Sequence, residues 1–130
     1  MKILGIGVDI VENKRIQKSI KNPLFTKRIY TPKELKQSKA AHNKVGYFSK
    51  RFAAKEAFSK ALGTGFRRNL NFKDIEVIND KIGKPYYVKN KKITKIIQKN
   101  FKIKNFKCFL SISDEKNYST AFAIIQTSWN

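Results

Sequence analysis

Only nine of the 130 residues are acidic, and two of them stand where packing alone would not put an acid. Asp9 lies inside an apolar run, Ile3-Leu-Gly-Ile-Gly-Val-Asp-Ile-Val11. Glu56 sits among alanines and phenylalanines in Arg51-Phe-Ala-Ala-Lys-Glu-Ala-Phe-Ser-Lys60. Two carboxylates with no histidine or cysteine nearby suit a hard cation such as Mg²⁺, which takes one or two carboxylates, water and substrate phosphates. Each acid also has an ordinary role open to it. Glu56 can pair with Lys60 four residues on, a contact of about 0.3–0.5 kcal/mol. Asp9 can end a strand or cap a helix. Taken singly, these ordinary roles account for both.

Gly63-Thr64-Gly65 follows the same segment. Such a triplet usually ends a helix. It also brings backbone amides and a hydroxyl close to Lys60, with Arg67 and Arg68 just behind, and such a cluster can hold phosphate. It lacks the spacing of a P-loop.

These residues need elements to carry them. Leu4, Ile6, Val8 and Ile10 alternate, which predicts a strand with those four on its core face. Gly5, Gly7 and Asp9 then share the opposite face, and glycines inside a strand mark a close approach by a ligand or another backbone. Residues 46–62 read as a helix with an apolar stripe of Ala54, Ala57, Phe58, Ala61 and Leu62. Lys55, Glu56, Ser59 and Lys60 fall on its polar face, with Phe52 oddly among them. Ile16 and Ile20 mark a weak helix over 12–22, and 24–30 a short one. Thr31-Pro-Lys-Glu34 is a helix start with a capping box, running to about Ala41. Strands are expected at 72–79 and 84–88 around Asp80-Lys-Ile-Gly83, a helix at 91–101, and a hairpin of 107–113 and 118–127. This order reads as one α+β domain over 1–130, a small mix of helices and antiparallel sheet.

The charge is +20, which calls for an anionic partner. Lysine outnumbers arginine heavily, and Ile and Asn are abundant, so part of the excess reads as compositional bias. A lysine run with Phe101 and Phe106 admits single-stranded nucleic-acid binding by stacking, although such phenylalanines are more often core. No stretch is long and apolar enough for a membrane helix. The N-terminal run does not read as a signal peptide, and one cysteine, Cys108, allows no internal disulfide. The expected compartment is the cytoplasm.

Two stretches together carry a resemblance. Gly5-Ile-Gly-Val-Asp-Ile-Val-Glu12 with Arg15, and Arg51 through Gly65, resemble the two signature motifs of holo-acyl-carrier-protein synthases, the small bacterial phosphopantetheinyl transferases. Phe25, Arg28, Phe72-Lys-Asp-Ile-Glu76, Gly83-Lys-Pro85 and Ser111-Ile-Ser-Asp-Glu115 extend it across nearly the whole chain. The resemblance implies transfer of the 4′-phosphopantetheine arm of coenzyme A to a serine of apo-acyl-carrier protein, releasing 3′,5′-ADP. It implies Mg²⁺ held by Asp9 and Glu56, and a homotrimer with active sites between subunits. Neither nucleic acid nor a membrane is then a partner.

Roles follow by the same resemblance. Asp9, Glu56 and Lys60 form the catalytic set. Lys60 meets a coenzyme A phosphate, and Gly63, Thr64 and Gly65 help form the coenzyme A pocket. Arg51 and Lys55 contact the nucleotide, and Pro85 lines the adenine end. Gly5 and Gly7 admit the phosphates or a neighbouring chain. Arg15, Lys21, Phe25 and Arg28, with Lys14 and Lys18, dock the acidic carrier protein. The base that deprotonates the serine is Asp9, Glu56 or a water on the metal. Some relatives have a histidine where this chain has Asp114, so a mechanism using that histidine does not apply.

Overall fold

The computed structural model describes residues 1–67 and 69–128; Arg68, Trp129 and Asn130 lie outside the described residues. The strand that carries Asp9, β1 (Ile3–Glu12), is followed by three short helices: α1 (Asn13–Ser19), α2 (Pro23–Ile29) and α3 (Pro32–Ser38). The long helix α4 (Lys44–Leu62) comes next, then a 3₁₀ turn (Phe72–Asp74) and a two-stranded ribbon of β2 (Val77–Asn79) and β3 (Pro85–Tyr87). Helix α5 (Lys91–Phe101) leads to a hairpin of β4 (Phe106–Asp114) and β5 (Tyr118–Thr127). Strand β5 lies between β1 and β4, and both pairings are antiparallel. The expected α+β class therefore holds.

Local chemistry sets the helix ends. Asn43 accepts the amide of Gly46 at the start of α4, and Gly63 ends it with φ 83°, a left-handed value that costs glycine little. Both halves of the Thr31–Glu34 capping box form, although α3 stops at Ser38 rather than near Ala41.

Helix α4 is the axis of the core. It packs on β1 and β5 and is covered elsewhere by the short helices and the ribbon. From Gly46 to Leu62 only Lys50, Glu56 and Lys60 escape full burial. The polar face expected for this helix is thus mostly interior: Lys55 and Ser59 are buried with the alanines.

Strand β1 reverses its expected faces. Ile6, Val8 and Ile10 are 59%, 57% and 65% exposed, and only Leu4 of the four packs on the core, beside a register shift between Ile3 and Gly5. The glycine face is the inner one. A Cβ on Gly5 would lie 1.8 Å from the Ala61 carbonyl oxygen, and one on Gly7 1.9 Å from that of Ala57. Backbone meets backbone here, with no side chain between, so the glycines serve the helix contact rather than a phosphate.

Of the strand expected over 72–79 only Val77–Asn79 forms; Phe72–Asp74 is the 3₁₀ turn. Lys55 Nζ takes the carbonyls of Phe72 and Ile75, and Glu34 accepts the Val77 amide, so side chains replace a ladder there. In the lysine-rich stretch, Phe106 is buried in the core and Phe101 packs against it. Neither ring is free to stack on a base.

Candidate active site

The close seam between β1 and α4 brings three of the expected residues together. Lys60 Nζ lies 3.1 Å from Asp9 Oδ1 and donates also to the Val8 carbonyl at 3.1 Å. The pairing of Lys60 with Glu56 on its own helix does not form; Lys60 crosses to the strand instead. Glu56 is half-buried, and its carboxyl pKa is raised, first by burial and then by the negative charge of Asp9. Lys60 and Arg15 pull it back in part. The two acids therefore feel each other across the seam. On the backbone side, Thr120 Oγ1 donates to the Asp9 carbonyl at 2.7 Å and fixes this part of β1 against β5.

Two mutually repelling carboxylates with only oxygen donors fit a hard divalent cation. No cluster of three or more histidine, cysteine, aspartate or glutamate side chains occurs among the described residues. Such a cation would therefore draw further ligands from water and substrate phosphates, the habit of Mg²⁺.

The remaining expected residues divide into groups. Gly63 and Gly65 adopt positive φ just past Lys60, and the Gly65 amide donates to the Ser59 carbonyl. Thr64 opens onto a cleft of about 360 Å³ lined also by Arg67, Lys95 and Lys99. The sequence places neither α5 lysine at this loop, because only the fold brings α5 beside it. Arg68 is outside the described residues.

Arg51 points to the ribbon. It is 4% exposed, its guanidinium lies 3.7 Å from the Tyr47 ring centroid, and Nη2 donates to Asn79 Oδ1 at 3.3 Å. Its Nε is buried without a hydrogen-bond partner among the described residues. Asn79 is paired in register with Pro85, so Arg51 and Pro85 share one end of the molecule. Lys55 does not face that end as an open group. It is wholly buried against Glu34 at 2.7 Å, and its three donors are all taken. This corrects the expectation that Lys55 contacts a nucleotide.

Arg15 sits on α1 with its guanidinium 5.4 Å from the Phe52 ring centroid. Phe25, Phe52, Phe72 and Phe66 stack in a row beside it, at centroid spacings of 6.2, 5.4 and 3.8 Å. The row explains Phe52, which amphipathicity alone left odd. Lys21 and Arg28 are exposed nearby in sequence, on either side of Phe25. Asp114 is exposed at the end of β4, opposite Ser119.

Residues 5–123 match the family model described as the 4′-phosphopantetheinyl transferase superfamily. The chain is 65% identical over 126 residues to a holo-[acyl-carrier-protein] synthase of Pelagibacter ubique, covering 97% of this chain and 98% of that one. The chain belongs to the holo-acyl-carrier-protein synthase family of phosphopantetheinyl transferases. The fold agrees. The crystal structure of the Neisseria meningitidis synthase superposes with a TM-score of 0.87 at 39% identity, covering 96% of this chain and 99% of that one. The Bacillus anthracis synthase, solved in complex with CoA (3′,5′-ADP), gives 0.81 at 35% identity, covering 98% and 100%. Within this family of enzymes, the acid pair at the β1–α4 seam is the candidate centre.

Proposed function

We propose that this chain transfers the 4′-phosphopantetheine arm of coenzyme A to a serine hydroxyl of an apo-acyl-carrier protein, releasing 3′,5′-ADP. The observation that carries the reading is the meeting of Asp9, Glu56 and Lys60 across a seam that has no side chains in it. Asp9 and Glu56 would hold Mg²⁺. When bound, the ion neutralises charge on the diphosphate as the leaving group departs. Lys60 adds a second positive charge beside it. A serine hydroxyl attacks only once its proton is removed, and the acid pair is where that proton is taken up.

Carrier docking falls to Arg15, Lys21, Phe25 and Arg28. Their charges suit an acidic protein and act chiefly on encounter rate and register. The aromatic row beside Arg15 offers an apolar contact within the same surface.

The active enzyme is a homotrimer in this reading. Ile6, Val8 and Ile10 on β1, Phe122 on β5 and Phe109 on β4 leave an apolar sheet face in water. A patch of that kind suits a subunit interface. Arg51 and Glu56 share α4, while Pro85 lies on β3 of the ribbon. A neighbouring subunit would complete the nucleotide pocket, so that the nucleotide lies between subunits. The reaction belongs to the cytoplasm in this reading.

The test is a mass measurement. Incubating the protein with an apo-carrier, coenzyme A and Mg²⁺ should add one phosphopantetheine arm to the carrier; no added mass would refute the assignment. Glu56→Ala should lower kcat by about 10² or more while the fold survives, because Glu56 is only partly buried. Retained turnover would remove Glu56 from the centre.

A further inference from the structure

Glu34 and Lys55 are both wholly buried and every polar atom they offer is used. Lys55 Nζ donates to Glu34 Oε1 and to the carbonyls of Phe72 and Ile75. Glu34 Oε1 also accepts the Thr31 amide at 2.8 Å, and Oε2 accepts the Val77 amide at 2.8 Å. One ion pair thus ties α3, α4, the 3₁₀ turn and the first residue of β2 together. A buried pair of this kind adds little stability over an apolar pair of similar volume. What it adds is a fixed set of distances.

Those distances lead to the ribbon. Val77, held by Glu34, opens β2, and two residues on Asn79 accepts from Arg51 and lies opposite Pro85. Glu76, next to Val77, accepts from Thr31 Oγ1 at 2.5 Å, a second tie to the start of α3. Lys55 itself precedes Glu56 on α4. The pair therefore sits between the acid centre and the ribbon and is bonded to the base of the second.

We propose that Glu34 and Lys55 are positioning residues for coenzyme A: they hold β2 so that Arg51 and Pro85 meet the nucleotide. This rests on the reading that Arg51 and Pro85 contact that nucleotide. Neither Glu34 nor Lys55 touches substrate. Their effect falls first on coenzyme A, because Arg15, Phe25 and Arg28 lie on α1 and α2 and Lys21 in the turn between them, to none of which the pair makes a hydrogen bond.

The experiment uses the full-length enzyme carrying Glu34→Leu with Lys55→Met, an apolar pair that leaves no orphaned charge. The KM for coenzyme A and the calorimetric Kd for 3′,5′-ADP should rise about tenfold or more, as for other supporting contacts of a site. The KM for the carrier should stay within about twofold. Loss of thermal stability with both KM values unchanged would mean a merely structural role and would overturn the proposal. Should the double variant fail to fold, Glu34→Gln serves. Its oxygen can still face Lys55 while its amide group meets the Val77 N–H, so only the ribbon tether is broken. It should raise the coenzyme A KM roughly threefold to fivefold, and an unchanged value would overturn the proposal. Arg51→Ala separates the two ideas. If it leaves coenzyme A affinity unchanged, the nucleotide contact fails and the positioning role falls with it. If it weakens affinity while the Glu34 variants do not, only the positioning role fails.

Discussion

The two faces of β1 invert the usual relation between side chain and surroundings. The face rich in Ile and Val looks outward, while the face of Gly5, Gly7 and Asp9 lies against the central helix. On the inner face the absence of side chains is the useful property. It lets the carbonyls of Ala57 and Ala61 approach the strand backbone, and so brings Asp9 into reach of Lys60 one turn away from Glu56. On the outer face the apolar side chains form a surface the single chain does not cover. Apolar alternation therefore reports which residues share a face, without saying what that face meets.

The sharpest way to break this comparison is Gly7→Ala. The new Cβ would meet backbone atoms at 1.9 and 2.6 Å, which cannot rotate away. A loss of roughly 3 kcal/mol or more is expected, read as a large drop in melting temperature. A wild-type melting temperature would mean that the seam is looser than drawn.

Val8→Lys probes the other face. The residue is already more than half exposed, so the chain should fold with an unchanged circular dichroism spectrum. A lysine buried at a subunit contact lacks a partner, so sedimentation should show monomers and activity should fall by about tenfold or more. A fully active monomer would separate assembly from catalysis.

The smallest change tests the boundary where β1 runs into α1. Arg15→Ala should raise the carrier KM by about three- to tenfold at low salt while leaving kcat unchanged. The difference from the unaltered enzyme should shrink at roughly 0.5 M salt, where the screening length falls to a few ångströms. An effect on kcat alone would move Arg15 from docking to the centre, where its charge already reaches Glu56.

Much of the site was legible because its signals are local. Asp9 and Glu56 stand out as acids in apolar contexts and gain their site reading from the resemblance of the two motifs that hold them, the capping box at Thr31 shows in four consecutive residues, and Gly63 marks the end of α4. What stayed hidden depends on distant partners. Lys55 reads as a surface lysine until Glu34, 21 residues earlier, is seen to fold against it. The brevity of β2 has the same cause, since its neighbours' polar groups are satisfied by those two side chains. The facing of β1 was illegible for a different reason: period two fixes which residues share a face, and here the face that packs on α4 is the glycine one while the Ile and Val face stays exposed on the single chain.

The seam has a consequence for how the protein can change over generations. Where two backbones touch directly, the spacing of β1 from α4 is set by main-chain atoms. Substitutions among core side chains such as Phe58, Ile97 or Ile125 are expected to disturb that spacing less than a change at either glycine. Sequence drift in the body of the molecule is thus only weakly coupled to the centre, and the tolerance runs out abruptly at two glycines.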